Sequence, residues 1–234
     1  MYVPPYVPQP IEIDGNVAQE PYQIRLGFVR RVALAHFFTV LLIAGLACLP
    51  ALPEYEPLTA GLGVVTLLVL LSLVRALAKG RDADQRLSTV ILPFLIAALA
   101  IWARGLERAG WEVWVVGIAA LCSTAYAGLC GRDLSFVGMF VIPSTVTTAI
   151  SLGIGLAFDR PLVAVAWALV LAFVFLFYTV YDLAALLTRR RLGEEWGAVA
   201  DLYRDVLNGI SYPIRVIQHW RDHRIWTPPK EWFR

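Results

Sequence analysis

Charge is what this chain has least of. Asp, Glu, Lys and Arg together make up 16% of its 234 residues, the apolar set makes up 59%, and mean hydropathy is +0.65. A water-soluble domain carries about 25% charge, so this chain has too little to cover a globule in water. The charge present nearly cancels, 20 basic against 18 acidic side chains, and a net +2 gives no field for gathering nucleic acid or another polyanion. Cysteine is scarce as well. Cys48, Cys122 and Cys130 all stand in apolar stretches, and an odd number so placed excludes a disulfide framework. No HExxH, GxSxG or P-loop pattern occurs, so neither an enzyme nor a bound cofactor is expected.

The apolar residues are gathered into runs. A helix needs roughly 20 of them to cross a bilayer, and six stretches reach or approach that length: Val32–Leu49, Leu58–Ala78, Leu87–Ala103, Trp111–Cys130, Phe136–Phe158 and Leu162–Leu187. In lipid every backbone polar group must be satisfied within the segment, so these runs read as helices of an all-α integral membrane protein. Residues 1–23 are polar and proline-rich (PPYVPQP) and read as a short mobile cytoplasmic arm, 24–220 as the membrane domain, and 221–234 as a basic tail. Alternate connections carry eleven basic residues on one side (Arg25, Arg30, Arg31, Arg75, Lys79, Arg81, Arg86, Arg132, Arg189, Arg190, Arg191) against Arg104, Arg108 and Arg160 on the other. That asymmetry puts the N-terminus in the cytoplasm. Arginine outnumbers lysine 18 to 2, in keeping with a GC-rich genome and a bacterial cytoplasmic (inner) membrane.

A seventh segment, Trp196–Ile217, has helical length but carries charge. Asp201, Asp205, Asn208, Tyr212 and Arg215 recur at steps of four and three, which lines them along one face. Each charge facing lipid at mid-membrane would cost about 2.5–3.5 kcal/mol. The segment is therefore expected to be a central helix lining a polar interior, the alternative being an amphipathic helix on the membrane surface. Asp182, near the end of the sixth run, and Asp205 lie symmetrically about the polar turn at Gly193. In a helical hairpin they would sit at one depth, on the order of 8–13 Å above the helix ends. Two carboxylates so placed can share a proton, and repulsion with desolvation would raise one apparent pKa. Separate pairing of each acid with Arg204 or Arg215 is the structural alternative. Intramembrane aspartyl proteolysis also uses two membrane aspartates, but no Gly-rich motif accompanies either acid.

These residues resemble a known signature. YDLAALL at 181–187, the basic turn, LYRDVLN at 202–208 and Arg215 are similar to the C-terminal signature of the Bax inhibitor family of membrane proteins, above all its bacterial pH-sensitive calcium-leak members. The family reads as a Tyr-Asp pair, a short loop, then Leu-Tyr-Leu-Asp followed by Asn. Tyr181, Asp182, Asp205 and Asn208 fall on that pattern. GRDLSF at 131–136, the opening IRLGFVRRVALAHFFTVL and Arg75 at the end of the second run resemble other family segments. The resemblance implies a polar seventh helix wrapped by six others. It also implies an aspartate pair acting as a proton-sensitive latch on a calcium leak, with Asp182 and Asp205 as calcium contacts; calcium prefers such hard oxygen ligands. Arg204 departs from the pattern by replacing an aliphatic residue. It is expected to pair with Asp201, three residues earlier, or to reach the aspartates and favour their charged forms. The other function considered is a non-conducting regulator that binds another membrane protein, such as a quality-control protease.

The remaining candidates carry less. His36 is the one histidine within an apolar run and reads as a hydrogen-bonded packing residue ahead of a cavity-lining one. His219 and His223 are too few for a metal site. Trp102, Trp111, Trp114 and Trp167 fit interfacial anchors, and Pro143 and Pro213 are expected to bend their helices. The loop asymmetry makes a direct prediction. A reporter fused after Arg191 should behave as cytoplasmic and one fused after Glu56 as external. An external signal at Arg191 would overturn the arrangement.

Overall fold

Apolar runs with no water to bond have one local solution, the α-helix, and the described apolar runs take it. A computed structural model describes residues 13–77, 81–129 and 137–211, without the side chains of 74–77, 81–84, 137, 180, 181, 184, 185 and 205–211. Among the described residues the elements are α1 (Tyr22–Ala47), α2 (Pro57–Leu77), α3 (Arg81–Arg108), α4 (Trp114–Leu129), α5 (Ile142–Ala157), α6 (Leu162–Arg189) and α7 (Glu195–Ser211), with no strand. A 3-10 turn, Val17–Gln19, precedes α1, and a π-helical turn, Val137–Val141, leads into α5. Among the described residues each of the six apolar runs coincides with helix, and α7 covers the polar seventh segment as far as Ser211; its remainder, 212–217, lies outside them.

Among the described residues four helices are long and apolar enough to cross a membrane: Tyr22–Ala47, Gln85–Arg108, Gly138–Ala157 and Leu162–Thr179. Pro57–Leu73 and Trp114–Leu129 are apolar but shorter. The outward faces of these helices are apolar too. Leu58, Phe94, Leu129, Val163 and Val174 are largely exposed. A protein surrounded by water rarely shows so much contiguous apolar surface, whereas one surrounded by lipid must. The chain is a membrane protein by this composition and shape.

Three clusters hold the helices together. The largest joins Phe28, Val29 and Val32 of α1, Leu92 and Ile96 of α3, Leu183 and Leu186 of α6, and Ala198, Val199 and Leu202 of α7. A second packs Val115 and Ala119 of α4 against Val165, Ala168 and Ala172 of α6, where small residues let the backbones approach. Val64 and Leu68 of α2 meet Leu95 of α3 in the third. α7 packs against α1, α2, α3 and α6, with 197–202 buried. Pro143 stands in the first turn of α5 directly after the π-helical turn; proline lacks an N–H and crowds the turn before it, which the wider π turn accommodates. Pro213 lies outside the described residues. Trp111 and Trp167 are exposed, whereas Trp114 is half-buried and donates its ring N–H to the Glu112 carboxylate, and Trp102 is half-buried over Gly61.

The two ends of the bundle are closed differently. At one end Glu54 pairs with Arg104, at 3.1 Å, and with Arg108. Arg160 there lies 3.8 Å from Glu107 and 3.9 Å from Glu112. The three basic residues read onto this side all have acidic partners. At the other end residues 13–20, the described part of the N-terminal arm, are seated against the end of α6, and Val17 is fully buried.

Close approach of α7 to its neighbours there depends on a missing side chain. A Cβ at Gly197 would stand 2.7 Å from Arg190 Nη1 and would collide with the Gln85 side-chain oxygen. Gly197→Val should therefore lower stability by about 1–3 kcal/mol, as overpacking does. Gly117→Ala on α4, where an added Cβ meets nothing within 4 Å, should be neutral or stabilising by up to about 1 kcal/mol. Thermal unfolding in detergent compares the two.

Candidate functional site in the α6–α7 hairpin

α6 ends where Arg190 leaves the helical region, at φ −125° and ψ 152°, while its N–H still reaches Leu186 O at 3.0 Å. The turn that follows is tight. Gly193 takes φ +87°, a conformation that disfavours side chains, and the Glu194 carboxylate accepts the Arg191 N–H at 2.9 Å. α7 then opens with Glu195, an acid suited to the positive end of the helix dipole, and its carboxylate takes Arg31 Nε of α1 at 2.9 Å.

Arg190 turns its side chain back into the protein. It is 2% exposed, and its Nε and Nη2 both lie 2.7 Å from Oδ2 of Asp201, itself 1% exposed. The second carboxylate oxygen, Oδ1, lies 3.1 Å from Arg204 Nη2. Asp201 is thus held between a fully buried guanidinium and one that is one-fifth exposed. Removing two ions from water is costly, and attraction plus short charge-assisted hydrogen bonds must offset it. Arg204 therefore meets the nearer of its two expected partners. The partner not foreseen is Arg190, which the sequence counts only among the basic residues of a connection.

A second contact fixes α7 to α1 deeper in the bundle. The Thr39 hydroxyl lies 2.7 Å from both His36 O and the Tyr203 hydroxyl. Thr39 has one proton and gives it to the carbonyl, so Tyr203 is the donor in the second bond. His36 is buried with its ring tilted at 48° against Tyr203, centroids 5.0 Å apart. It packs, as expected, and its partner is Tyr203 of the seventh helix; the hydrogen bond expected with it is absent at Nδ1, which is buried without a partner among the described residues. Thr39 and Tyr203 lie 164 residues apart, and neither carries a sequence signal for the contact.

The structure deals unevenly with the expected site residues. Asp182 lies on α6, buried at 2% exposure beside Leu183 and Leu186. Asp205 and Asn208 lie on α7, Tyr181 on α6 and Arg75 on α2, but their side chains fall outside the described residues. Arg215, the 131–136 segment, His219, His223 and the 221–234 tail lie outside them altogether. Residues 201, 205 and 208 share one face of α7 by helical spacing. Rotation of that face is set by the ion pair at Asp201 and the hydrogen bond at Tyr203. Among the described residues no three His, Cys, Asp or Glu converge as a metal site.

No protein-family model matches the chain, and no curated protein or solved structure does. The resemblance to the Bax inhibitor family rests on the quoted motif residues themselves.

The ion pair has a measurable signature. Asp201→Asn strands a buried guanidinium and should cost about 3–5 kcal/mol. Arg204→Leu removes only the partly exposed partner and should cost up to about 1 kcal/mol. Replacing Arg190 and Asp201 together by Met and Leu should recover most of the loss seen for Asp201→Asn. Denaturant titration in micelles ranks the three variants.

Proposed function

We propose that the chain is an integral membrane protein of the bacterial cytoplasmic membrane that lets calcium, or a similar cation, leak down its gradient under proton control. In this reading six helices surround a polar seventh and the N-terminus is cytoplasmic. Asp182 and Asp205 form the proton-sensitive pair, Tyr181, Asn208, Arg215 and Arg75 support it, and Asp201 with Arg204 fixes the helix that carries Asp205.

The observation that carries the proposal is the burial of Asp182 in an otherwise apolar helix; in this reading the helix that follows supplies the second acid, Asp205. Asp182 is 2% exposed. Asp182 stands about 10 Å along α6 from its end at Arg189, and Asp205 about 15 Å along α7 from its start at Glu195. A carboxylate withdrawn from solvent in this way is rare in membrane helices and belongs to proton or ion pathways more often than to packing. The match of Tyr181, Asp182, Asp205 and Asn208 to the Bax inhibitor signature supports the same reading.

The mechanism follows from carboxylate chemistry. With one proton between them, the two acids form a short O–H···O⁻ bond that ties α6 to α7. Losing that proton leaves two negative charges in a poorly solvated place. They repel, loosen the tie and offer oxygen ligands to a hard cation. Protonating both removes the charge that would attract the cation.

Calcium flux into liposomes holding only this protein tests the proposal. Between about pH 5 and pH 8 flux should change in two coupled steps that belong to the pair. Asp182→Asn and Asp205→Asn should each abolish the dependence, and the double variant should add little. Additive effects, or an intact pH response in either single variant, would sink the shared proton. No flux at any pH would overturn the leak and favour the non-conducting regulator.

A further inference from the structure

We propose that residues 13–20 form a strap that clamps the end of the α6–α7 hairpin, so that releasing the strap frees that end to move. This holds whatever the hairpin conducts or binds, and it concerns a contact on which the proposed leak does not rest.

The strap is attached where a helix most needs partners. The last carbonyls of an α-helix have no partner within the helix. Ile13 donates its N–H to Thr188 O at 3.2 Å, and Val17 donates its N–H to Arg190 O at 2.9 Å. Arg191 Nε returns a bond to Asp14 O at 2.9 Å. Within the strap the Asn16 side chain donates to Ile13 O at 2.8 Å, and the 3-10 turn closes with Glu20 N–H on Val17 O at 3.1 Å. The segment is therefore a built C-terminal cap for α6, supplied from the opposite end of the chain.

One apolar side chain seats it. Val17 is fully buried and belongs to the same cluster as Leu183 and Leu186 of α6 and Ala198 and Val199 of α7. Arg190 is the joint between strap and hairpin. Its carbonyl accepts from Val17, and its guanidinium holds Asp201 of α7. The strap bond fixes the backbone at the residue where α6 stops being helical, and that backbone aims the guanidinium. Unseating Val17 removes a backbone anchor of Arg190 and part of the apolar floor under the first turns of α7 in one step. The described attachments lie within eight residues that precede α1, so the strap can come away as a unit without unfolding α1 behind it.

Hydrogen exchange on the full chain in micelles tests this. In the wild type the Ile13 and Val17 amides should be protected; exchange at free-peptide rates would overturn the strap. Val17→Asp should expose both amides and also speed exchange of the α7 amides at 197–202 by roughly ten- to a hundredfold, the range that burial of one valine corresponds to. Exchange at 119–123 of α4 should stay unchanged, which shows that the bundle remains folded. Val17→Ala, a gentler change, should move strap and α7 amides together by a smaller factor. Strap amides that exchange faster in either variant while 197–202 stays as protected as before would show a mere docked tail and overturn the proposal.

Discussion

A guanidinium at 2% exposure has to be answered by a carboxylate, and at the end of this bundle Arg190 is answered by Asp201. Much of the local architecture follows from satisfying that pair. The turn between α6 and α7 must be short enough to bring the two residues together, and Gly193 makes it so at φ +87°. α7 must lie close enough for the guanidinium to pass, and Gly197 leaves the room. Once Asp201 is fixed, the rotation of α7 is fixed, and with it the face that carries 205 and 208. Breaking such a pair strands a charge in a poorly solvated place, so the penalty for misplacing α7 is large even though the net gain from forming the pair is small.

The opposite end is held by different physics. Glu54 and Arg108 are each about half exposed, and Arg160 meets its acids only at 3.8 and 3.9 Å. Exposed pairs of this kind contribute little and yield to salt and water. One end is thus closed by a buried pair, a backbone cap and an apolar anchor, the other by ion pairs in each of which at least one partner is about half exposed. The firmly held end is the one beside the turn that joins α6 to α7.

The helices were legible in the sequence because the solvent is lipid. Long apolar runs admit no other backbone solution, and each run matches a helix to within a few residues, except where α1 and α3 extend into flanking polar sequence. Around Leu26, Phe28 and Val29 that extension is driven by packing that no apolar run announces. The hairpin about Gly193 was legible for the same reason, as two helical segments flanking a polar turn. The direction of a side chain was not. Arg190 reads as one more loop arginine because a sequence records its charge and not the fact that it folds inward. Residues 13–20 read as part of a polar arm because proline content says nothing of Val17, whose burial depends on α6 and α7 being present. The Thr39–Tyr203 bond spans 164 residues and has no local trace. Asp182 was singled out as an acid in an apolar helix, and its burial agrees with that. Its relation to Asp205 belongs to the proposed function.

The seating of the strap also dictates an order of assembly. Residues 13–20 leave the ribosome well before Thr188 and Arg190, which accept their hydrogen bonds and are made some 170 residues later. The Arg31–Glu195 pair, 164 residues apart, waits just as long. Arg190 and Asp201 are separated by only 11 residues and can neutralise each other within the nascent hairpin. The last two helices can therefore enter the bilayer with that pair already neutralised, and residues 13–20 close over them afterwards, so that a chain stalled before the end of α6 offers those residues no carbonyls on which to dock.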